Sequence, residues 1–489
     1  MVEREGKLEV GPRPENVGQL GRYEITAWAD AEERAIGIRE KVLTDWVKYS
    51  GFDRKTLEYL FDTQAWVTNP ISPFYSQKRR ELDTGKKEFV ALSAWDFNGC
   101  LSLHRDGYDP QHTFCPELEA AIKMQIERLG SFFIISALTS EQMAYHLAKE
   151  KNTAGNIIMA SENGRGWLIP SKEGSSIKLM EFKLPLSEKN EKALIHLKEI
   201  VNDLTAVMRQ EGLVSFVNDQ KFSKCTMEGA ANGREWYRAT IEKLLLPYLA
   251  AKGAVWNGNP ERFSLDGIGF AVSPTPETWE IEVIEGTDKI GKRLAREILH
   301  NTLTDITLSM KEYAYFRLLT GGDSVKWGGS DVGLTDPNAA TIPFAVPAAE
   351  KDPRLSLDQL KEFIQYQRKY WPTYVRRGEE VKLAGAGIAP ADFMKTVIET
   401  VPCLFLPTQD FAQFLAARLT EVYGYLPGNE FDLSQPLLLY NFPADVSDEQ
   451  KELFLKAGKD LPIPADDKEA VARFISLLRQ RAGLAAEEI

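Results

Sequence analysis

The chain has 489 residues, 43% hydrophobic and 27% charged, with 59 Lys and Arg against 71 Asp and Glu, a formal charge of -12 and a pI near 5.2. This length calls for two to four structural units, and the composition excludes a disordered chain and a surface built to neutralise nucleic-acid phosphates. Four cysteines (Cys100, Cys115, Cys225, Cys403) without a CxxC pair or zinc spacing exclude a disulfide framework and a structural zinc site. No apolar run approaches the ~18 residues of a membrane span, and the charged start Met1-Val-Glu-Arg-Glu-Gly-Lys7 is followed by no apolar stretch, so a cytoplasmic protein without a membrane partner is expected.

From Ala27 to Leu60 apolar residues recur at helical spacing (Ile36, Ile38, Val42, Leu43, Trp46, Val47), which predicts an amphipathic helix closed by Asn69-Pro-Ile-Ser-Pro73. After the polar turn Asp83-Thr-Gly-Lys-Lys87, the run Phe89-Val-Ala-Leu-Ser-Ala-Trp95 reads as a buried parallel strand. Similar runs follow at Ser131–Ser136, Asn156–Ala160 and Tyr313–Leu319, with helices predicted over Glu117–Leu129 and Ser140–Lys149. Strands alternating with helices predict an α/β fold, a Rossmann-like doubly wound parallel sheet with its site at the carboxyl ends of the strands.

The alternation is interrupted by a helical block (Glu188–Gln210), a strand-like Leu213–Val217, a helix over Gly233–Ala251 and a strand-like Thr278–Ile284, which together suggest an inserted α+β cap. Beyond Pro347 the pattern is mostly helical, clearest at Leu355–Tyr370 and Asp467–Ala482. The expected organisation is a helical N-terminal extension (1–85), a first core part (86–165), the cap (166–285), a second core part (286–350) and a helical C-terminal region (351–489).

Strand ends present Asp96, Ser136, Glu162-Asn163-Gly164 and Gly322-Asp323-Ser324, which a parallel sheet gathers at one edge. A carboxylate there can attack phosphorus if a cation neutralises it and the incoming phosphate. Magnesium needs only one or two carboxylates besides water and substrate oxygens, so Asp96 and Asp323 suffice. Ser136 and a lysine would hold the phosphoryl oxygens, and the segment Asp288–Leu299 places Lys289 and Lys292 at the opening of a helix. The five histidines show no metal-ligand spacing.

This ordered series resembles the four motifs of the haloacid dehalogenase (HAD) superfamily, over roughly Glu88 to Val346, especially its capped branch with trehalose-phosphate and sucrose-phosphate phosphatases. Asp96-Phe-Asn-Gly-Cys-Leu101 resembles motif one, Ser136 motif two, Asp288-Lys-Ile-Gly291 the motif-three lysine segment with one residue inserted, and Gly322-Asp-Ser324 with Asp331 motif four. The resemblance implies a magnesium-dependent phosphatase or phosphotransferase that forms an aspartyl phosphate on a small phosphorylated metabolite, such as a sugar phosphate. It implies Asp96 as nucleophile, Asn98 in the acid/base position, Ser136 and Lys289 (preferred to Lys292) on the phosphoryl group, Gly99, Asn163 and Lys292 near the substrate, and Mg2+ on Asp96, the Asn98 carbonyl, Asp323 and Asp331.

The sequence departs from motif one at Asn98, where family phosphatases carry the aspartate that protonates the leaving oxygen, and an amide cannot do this. Cys100 replaces the usual Thr, and Leu138 the Arg of the loop after Ser136. Asn98 leaves two alternatives open: a catalytically weakened HAD-fold protein with a binding, regulatory or scaffolding role, or HAD-type chemistry other than phosphate ester hydrolysis.

Overall fold

A computed structural model of the chain describes residues 15–50, 52–58, 73–102, 113–150, 152–173, 176–210, 214–218, 221–229, 245–256, 262–274, 278–284, 291–312, 314–322, 330–336, 340–345 and 389–434. The elements are β1 (Glu15–Leu20), β2 (Tyr23–Ala27), α1 (Ala31–Ser50), α2 (Pro73–Thr84), β3 (Lys87–Asp96), α3 (Pro116–Leu129), β4 (Phe132–Ile135), α4 (Ser140–Leu147), β5 (Ile157–Ser161), β6 (Gly166–Glu173) and β7 (Ser176–Lys183). Next come α5 (Glu188–Gln210), β8 (Val214–Asn218), β9 (Lys224–Gly229), β10 (Val255–Trp256), β11 (Arg262–Leu265), β12 (Ile268–Pro274) and β13 (Thr278–Val283). The chain continues with α6 (Arg293–Ile306), β14 (Ala314–Gly322), β15 (Thr341–Ala345), α7 (Ala389–Thr400), β16 (Cys403–Leu404), α8 (Thr408–Tyr423) and β17 (Leu426–Asp432).

The centre is a parallel sheet in the order β15-β14-β3-β4-β5. From β3 the chain proceeds to β4 on one side, while β14 flanks it on the other, so the strand order reverses between β3 and β14 and opens a crevice at their carboxyl ends. Alternating side chains enter two apolar layers: Phe132 and Ile134 face one, Phe133 and Ile135 the other. The first layer is closed by α3, α4 and α7, the second by α6 and α8. The doubly wound α/β fold expected from the alternation is therefore present.

Local signals set the helix ends. Pro116 opens α3 and Gly130, at φ 90°, closes it. Thr139 and Gln142 form a reciprocal capping box on α4, and left-handed Gly424 ends α8.

Strand pairing crosses three of the expected divisions. The N-terminal extension is not only helical, because β1 and β2 pair with each other and β2 pairs with β16. The insertion does not begin at residue 166, because β6 and β7 extend the large sheet antiparallel from β5. The described part of the C-terminal region carries the helices α7 and α8 and adds two strands to the large sheet, β16 pairing with β3 and β17 with β7. In each case unpaired backbone groups at a sheet edge are satisfied by strands too short or too mixed in composition to stand out as periodic runs. The helices expected at Leu355–Tyr370 and Asp467–Ala482 lie outside the described residues.

A second, six-stranded antiparallel sheet, β10-β11-β12-β13-β9-β8, is built between α5 and α6 in the chain. Its apolar face (Cys225, Met227, Phe270, Val272, Ile281, Val283) packs with Leu194, Leu197 and Val201 of α5. Among the described residues no helix is long and apolar enough to cross a membrane.

Two predictions follow from this packing. A Cβ at Gly321 would lie 2.1 Å from the Trp95 ring, which is fully buried, so Gly321→Ala should destabilise the fold by about 1–3 kcal/mol through overpacking, read as a lower denaturant midpoint at unchanged m. His146 is buried with its ring 4.8 Å from that of Phe97, and burial, with Lys149, lowers its pKa from 6.5 to about 3. Between those values the unfolded chain binds a proton that the native chain refuses, so stability should fall as pH drops through that window, by on the order of 5 kcal/mol in full. His146→Leu should remove that part of the acid-side loss in a pH series of unfolding curves.

Candidate active site

β3 reads Lys-Glu-Phe-Val-Ala-Leu-Ser-Ala-Trp-Asp, and every residue after Lys87 is buried, so its last residue, Asp96, is a carboxylate at 2% exposure. The strand stops because the next residues fold back on themselves: Leu101 and Ser102 N–H both donate to the Phe97 carbonyl (2.9 Å each), and Gly99 N–H donates to the Ser102 carbonyl (2.8 Å). Gly99 sits at φ 76°, where a side chain would be strained. Asn98, half-buried, forms a backbone bridge to Ser102 within this turn.

Strand register brings the other positions alongside. Gly321 pairs with Trp95, which sets Gly322 level with Asp96, and Ile135 pairs with Asp96, which sets Ser136 one residue further on. Ser136 is 1% exposed. Its hydroxyl accepts from Leu138 N–H at 3.2 Å, leaving its own hydrogen to donate.

The decisive contact involves Lys292. Its ammonium donates to both the Asp96 and the Asp331 carboxylates, and all three side chains are at most 4% exposed. Burial by itself would lower the lysine pKa, but Asp331 and Asp96 overcome it and raise the pKa above the ordinary value. Lys292 is the residue just before α6, a position with no side-chain cap, where the helix dipole disfavours a cation. Such a local conflict persists when a tertiary partner compensates it, and here the two carboxylates do.

Asp331 in turn depends on Gly322: a Cβ at 322 would lie 2.6 Å from the Asp331 Cβ and Oδ2. The pair Gly321-Gly322 thus makes room for Trp95 beneath the site and Asp331 within it. Thr335 fixes the turn by donating its N–H (2.9 Å) and hydroxyl (2.8 Å) to the Asp331 carbonyl.

The turn after β5 faces the second sheet. Glu162, Asn163 and Gly164 all have positive φ (46°, 61° and 102°), a run that costs energy unless its surroundings enforce it. Glu162 N–H donates to the Leu138 carbonyl and Asn163 N–H to the Ser136 carbonyl, and a Cβ at Gly164 would strike Ala295 of α6 at 2.8 Å. The Glu162 carboxylate accepts from Phe222 N–H (3.2 Å), Ser223 N–H (3.0 Å) and the Ser223 hydroxyl (2.7 Å). Burial raises its pKa against these hydrogen bonds. Asn163 Nδ2 donates to Glu282 Oε1 at 2.9 Å, while its buried Oδ1 has no hydrogen-bond partner among the described residues.

Beyond this turn lies a buried polar face. Lys221 (3.0 Å) and Lys224 (3.3 Å) share the Glu280 carboxylate. Burial would raise the Glu280 pKa, but the two lysines hold it at about 2. Sequence reasoning expects the stretch near Asn218 to Glu228 to read the substrate's leaving group without singling out Lys221 or Lys224, and it missed Glu280 and Glu282. The alternation in Thr-Trp-Glu-Ile-Glu-Val of β13 was the available signal, but alternation alone does not tell a buried polar face from a solvated one.

Of the residues expected in the site, Asp96, Lys292 and Asp331 are brought into direct contact, and Ser136, Gly99 and Asn98 lie on the adjoining strand end and turn. Asn163 contacts the second sheet. The ammonium shared by the two carboxylates is that of Lys292, the second choice from sequence. Lys289 and Asp323 lie outside the described residues. Among the described residues no group of three or more His, Cys, Asp and Glu is poised to hold a metal. Asp96 and Asp331 both accept from the Lys292 ammonium, and their carboxylate oxygens are donors of the hard kind that magnesium takes together with water and substrate oxygens.

No family model and no curated protein sequence matches the chain. Similar solved structures include the Plasmodium falciparum IMP-nucleotidase, at 9% identity and a TM-score of 0.35 over 65% of this chain and 80% of that one. A C-terminally truncated form of that nucleotidase matches at 10% and 0.33, over 57% and 70%. A haloacid dehalogenase-like hydrolase from Bacteroides thetaiotaomicron matches at 17% and 0.27, over 48% and 82%. At such identities and TM-scores, the chemistry of this chain rests on its own residues.

Proposed function

We propose that the chain is a phosphohydrolase of the HAD superfamily, magnesium-dependent, acting on a small phosphorylated metabolite such as a sugar phosphate held between the parallel core and the second sheet as its cap. The observation that carries this reading is the Lys292 ammonium lodged between Asp96 and Asp331 at the carboxyl ends of β3 and β14. A buried carboxylate with a fixed cation beside it, at the reversal point of a doubly wound sheet, is suited to attack a bound phosphate dianion.

In this mechanism an Asp96 oxygen attacks phosphorus and the bond to the ester oxygen breaks. The departing oxygen takes its proton from solvent, because the Asn98 amide has none to give. Water then attacks phosphorus of the aspartyl phosphate, loses a proton to solvent, and releases phosphate with the Asp96 carboxylate restored. Lys292 takes the part expected of Lys289 and, with the Ser136 hydroxyl, holds the phosphoryl oxygens. Asn163 Oδ1 is an acceptor for a substrate hydroxyl. Magnesium, held by Asp96 and Asp331 with the Asn98 carbonyl and Asp323, would neutralise charge on the phosphoryl group.

Phosphate release from a panel of sugar phosphates with magnesium tests this reading. Asp96→Asn should abolish release and Asn98→Asp should leave it high; a ~10²–10⁴-fold rise in Asn98→Asp over a poorly active wild type would favour the catalytically weakened alternative instead. Release that persists in Asp96→Asn would refute the nucleophile. Binding is tested separately by thermal melts: magnesium at a hundredfold excess over its dissociation constant should stabilise the wild type by about 2.7 kcal/mol. Asp331→Asn and Asp323→Asn should each weaken that response, and an undiminished shift in both would place the ion elsewhere.

A further inference from the structure

The polar face of the second sheet reaches the site through one side chain. Glu282 lies on β13, 7% exposed, two residues after Glu280 and therefore on the same face of the strand. One carboxylate oxygen accepts from Asn163 Nδ2 at 2.9 Å, and the other accepts from the backbone N–H of Gly291 at 3.3 Å. Asn163 belongs to the positive-φ turn after β5, whose next residue, Gly164, packs on α6. Gly291, itself at φ 40°, is the residue immediately before Lys292.

We propose that Glu282 is a positioning residue: the carboxylate by which the second sheet holds the 162–164 turn and the start of α6 together, and so seats the Lys292 ammonium between Asp96 and Asp331. Lysine is a flexible four-carbon point charge, so the place of its ammonium depends on the backbone that carries it. The dipole at the start of α6 works against a cation there, and Gly291 offers no side chain to pack. The Glu282 bond to Gly291 N–H fixes that backbone. The Glu162 bonds to Phe222 and Ser223 join the same two units without touching Gly291, so the two contacts separate seating of the lysine from general attachment of the sheet.

The test uses the full chain as wild type, Glu282→Ala, Glu282→Gln and Ser223→Ala. Acetic anhydride labelling read by mass spectrometry reports access to the Lys292 amine, and hydrogen exchange reports the Gly291–Leu299 segment. Glu282→Ala should label Lys292 at least ~10-fold faster than wild type and exchange that segment faster. Glu282→Gln, which keeps the side-chain length and one acceptor, should fall between the two and carries the test if the alanine variant does not fold. Ser223→Ala should lower the melting temperature without exposing Lys292. Only the kinetic arm rests on the phosphohydrolase reading: kcat should fall by about 10- to 100-fold in Glu282→Ala, with KM changed by less than about threefold. Lys292 labelling in the Glu282 variants equal to that of wild type, or equal exposure in Ser223→Ala, overturns the proposal whatever the activity. Absence of phosphate release from the wild type, with labelling as expected, rejects the phosphohydrolase reading and leaves the positioning role standing.

Discussion

Removing an ion from water costs several kcal/mol, and a buried ammonium is tolerated only where carboxylates and hydrogen bonds replace its solvent. Lys292 satisfies that condition with Asp96 and Asp331, and much of the surrounding architecture follows from the need to bring those three groups together. Asp96 arrives because β3 is buried along its length and ends there. Asp331 arrives because Gly322 leaves its carboxylate room beside the strand end. Gly321 leaves the same room below for Trp95, so two glycines in succession serve opposite faces of one strand.

The second sheet is divided by its pleat. Alternate residues of β9 and β13 either pack on α5 in an apolar layer or form a buried polar face of Lys224, Glu280 and Glu282. A polar face can be buried at acceptable cost only if its groups are paired, and pairing across the junction with the core makes the junction specific. Glu162 points from core to second sheet and Glu282 from second sheet to core, so each unit supplies a carboxylate for donors of the other. The strained turn at residues 162–164 is where both contacts meet, which is why two non-glycine residues remain there in left-handed conformations.

The parallel strands β3, β4, β5 and β14, the helices α3 to α6 and the strand-end positions of Asp96, Ser136 and Gly322 were legible because buried strands and amphipathic helices leave periodic patterns in a short window of sequence, whereas β15 was not singled out. The flanks were not. β16 has two residues and β17 contains proline and glycine, yet both complete the large sheet, because a strand needs only an edge with free backbone groups, and that edge is built by residues hundreds of positions away. The same limit applies to β6 and β7, which were not singled out and join the large sheet through the free edge of β5.

The site divides in the same manner. The sequence by itself determined which chemistry was on offer: a carboxylate after a buried strand, a tight glycine turn, a serine on the next strand, lysines near the opening of a helix and acidic residues after the last strand. Only the tertiary structure decided that Lys292 holds the two carboxylates, that Asp331 is one of them and that Glu282 reaches the backbone beside the lysine. Charge pairing depends on distance in space and on exclusion of water, and both are created by the sheet register and by the seating of the second sheet on the first, neither of which is encoded within any one segment of the chain.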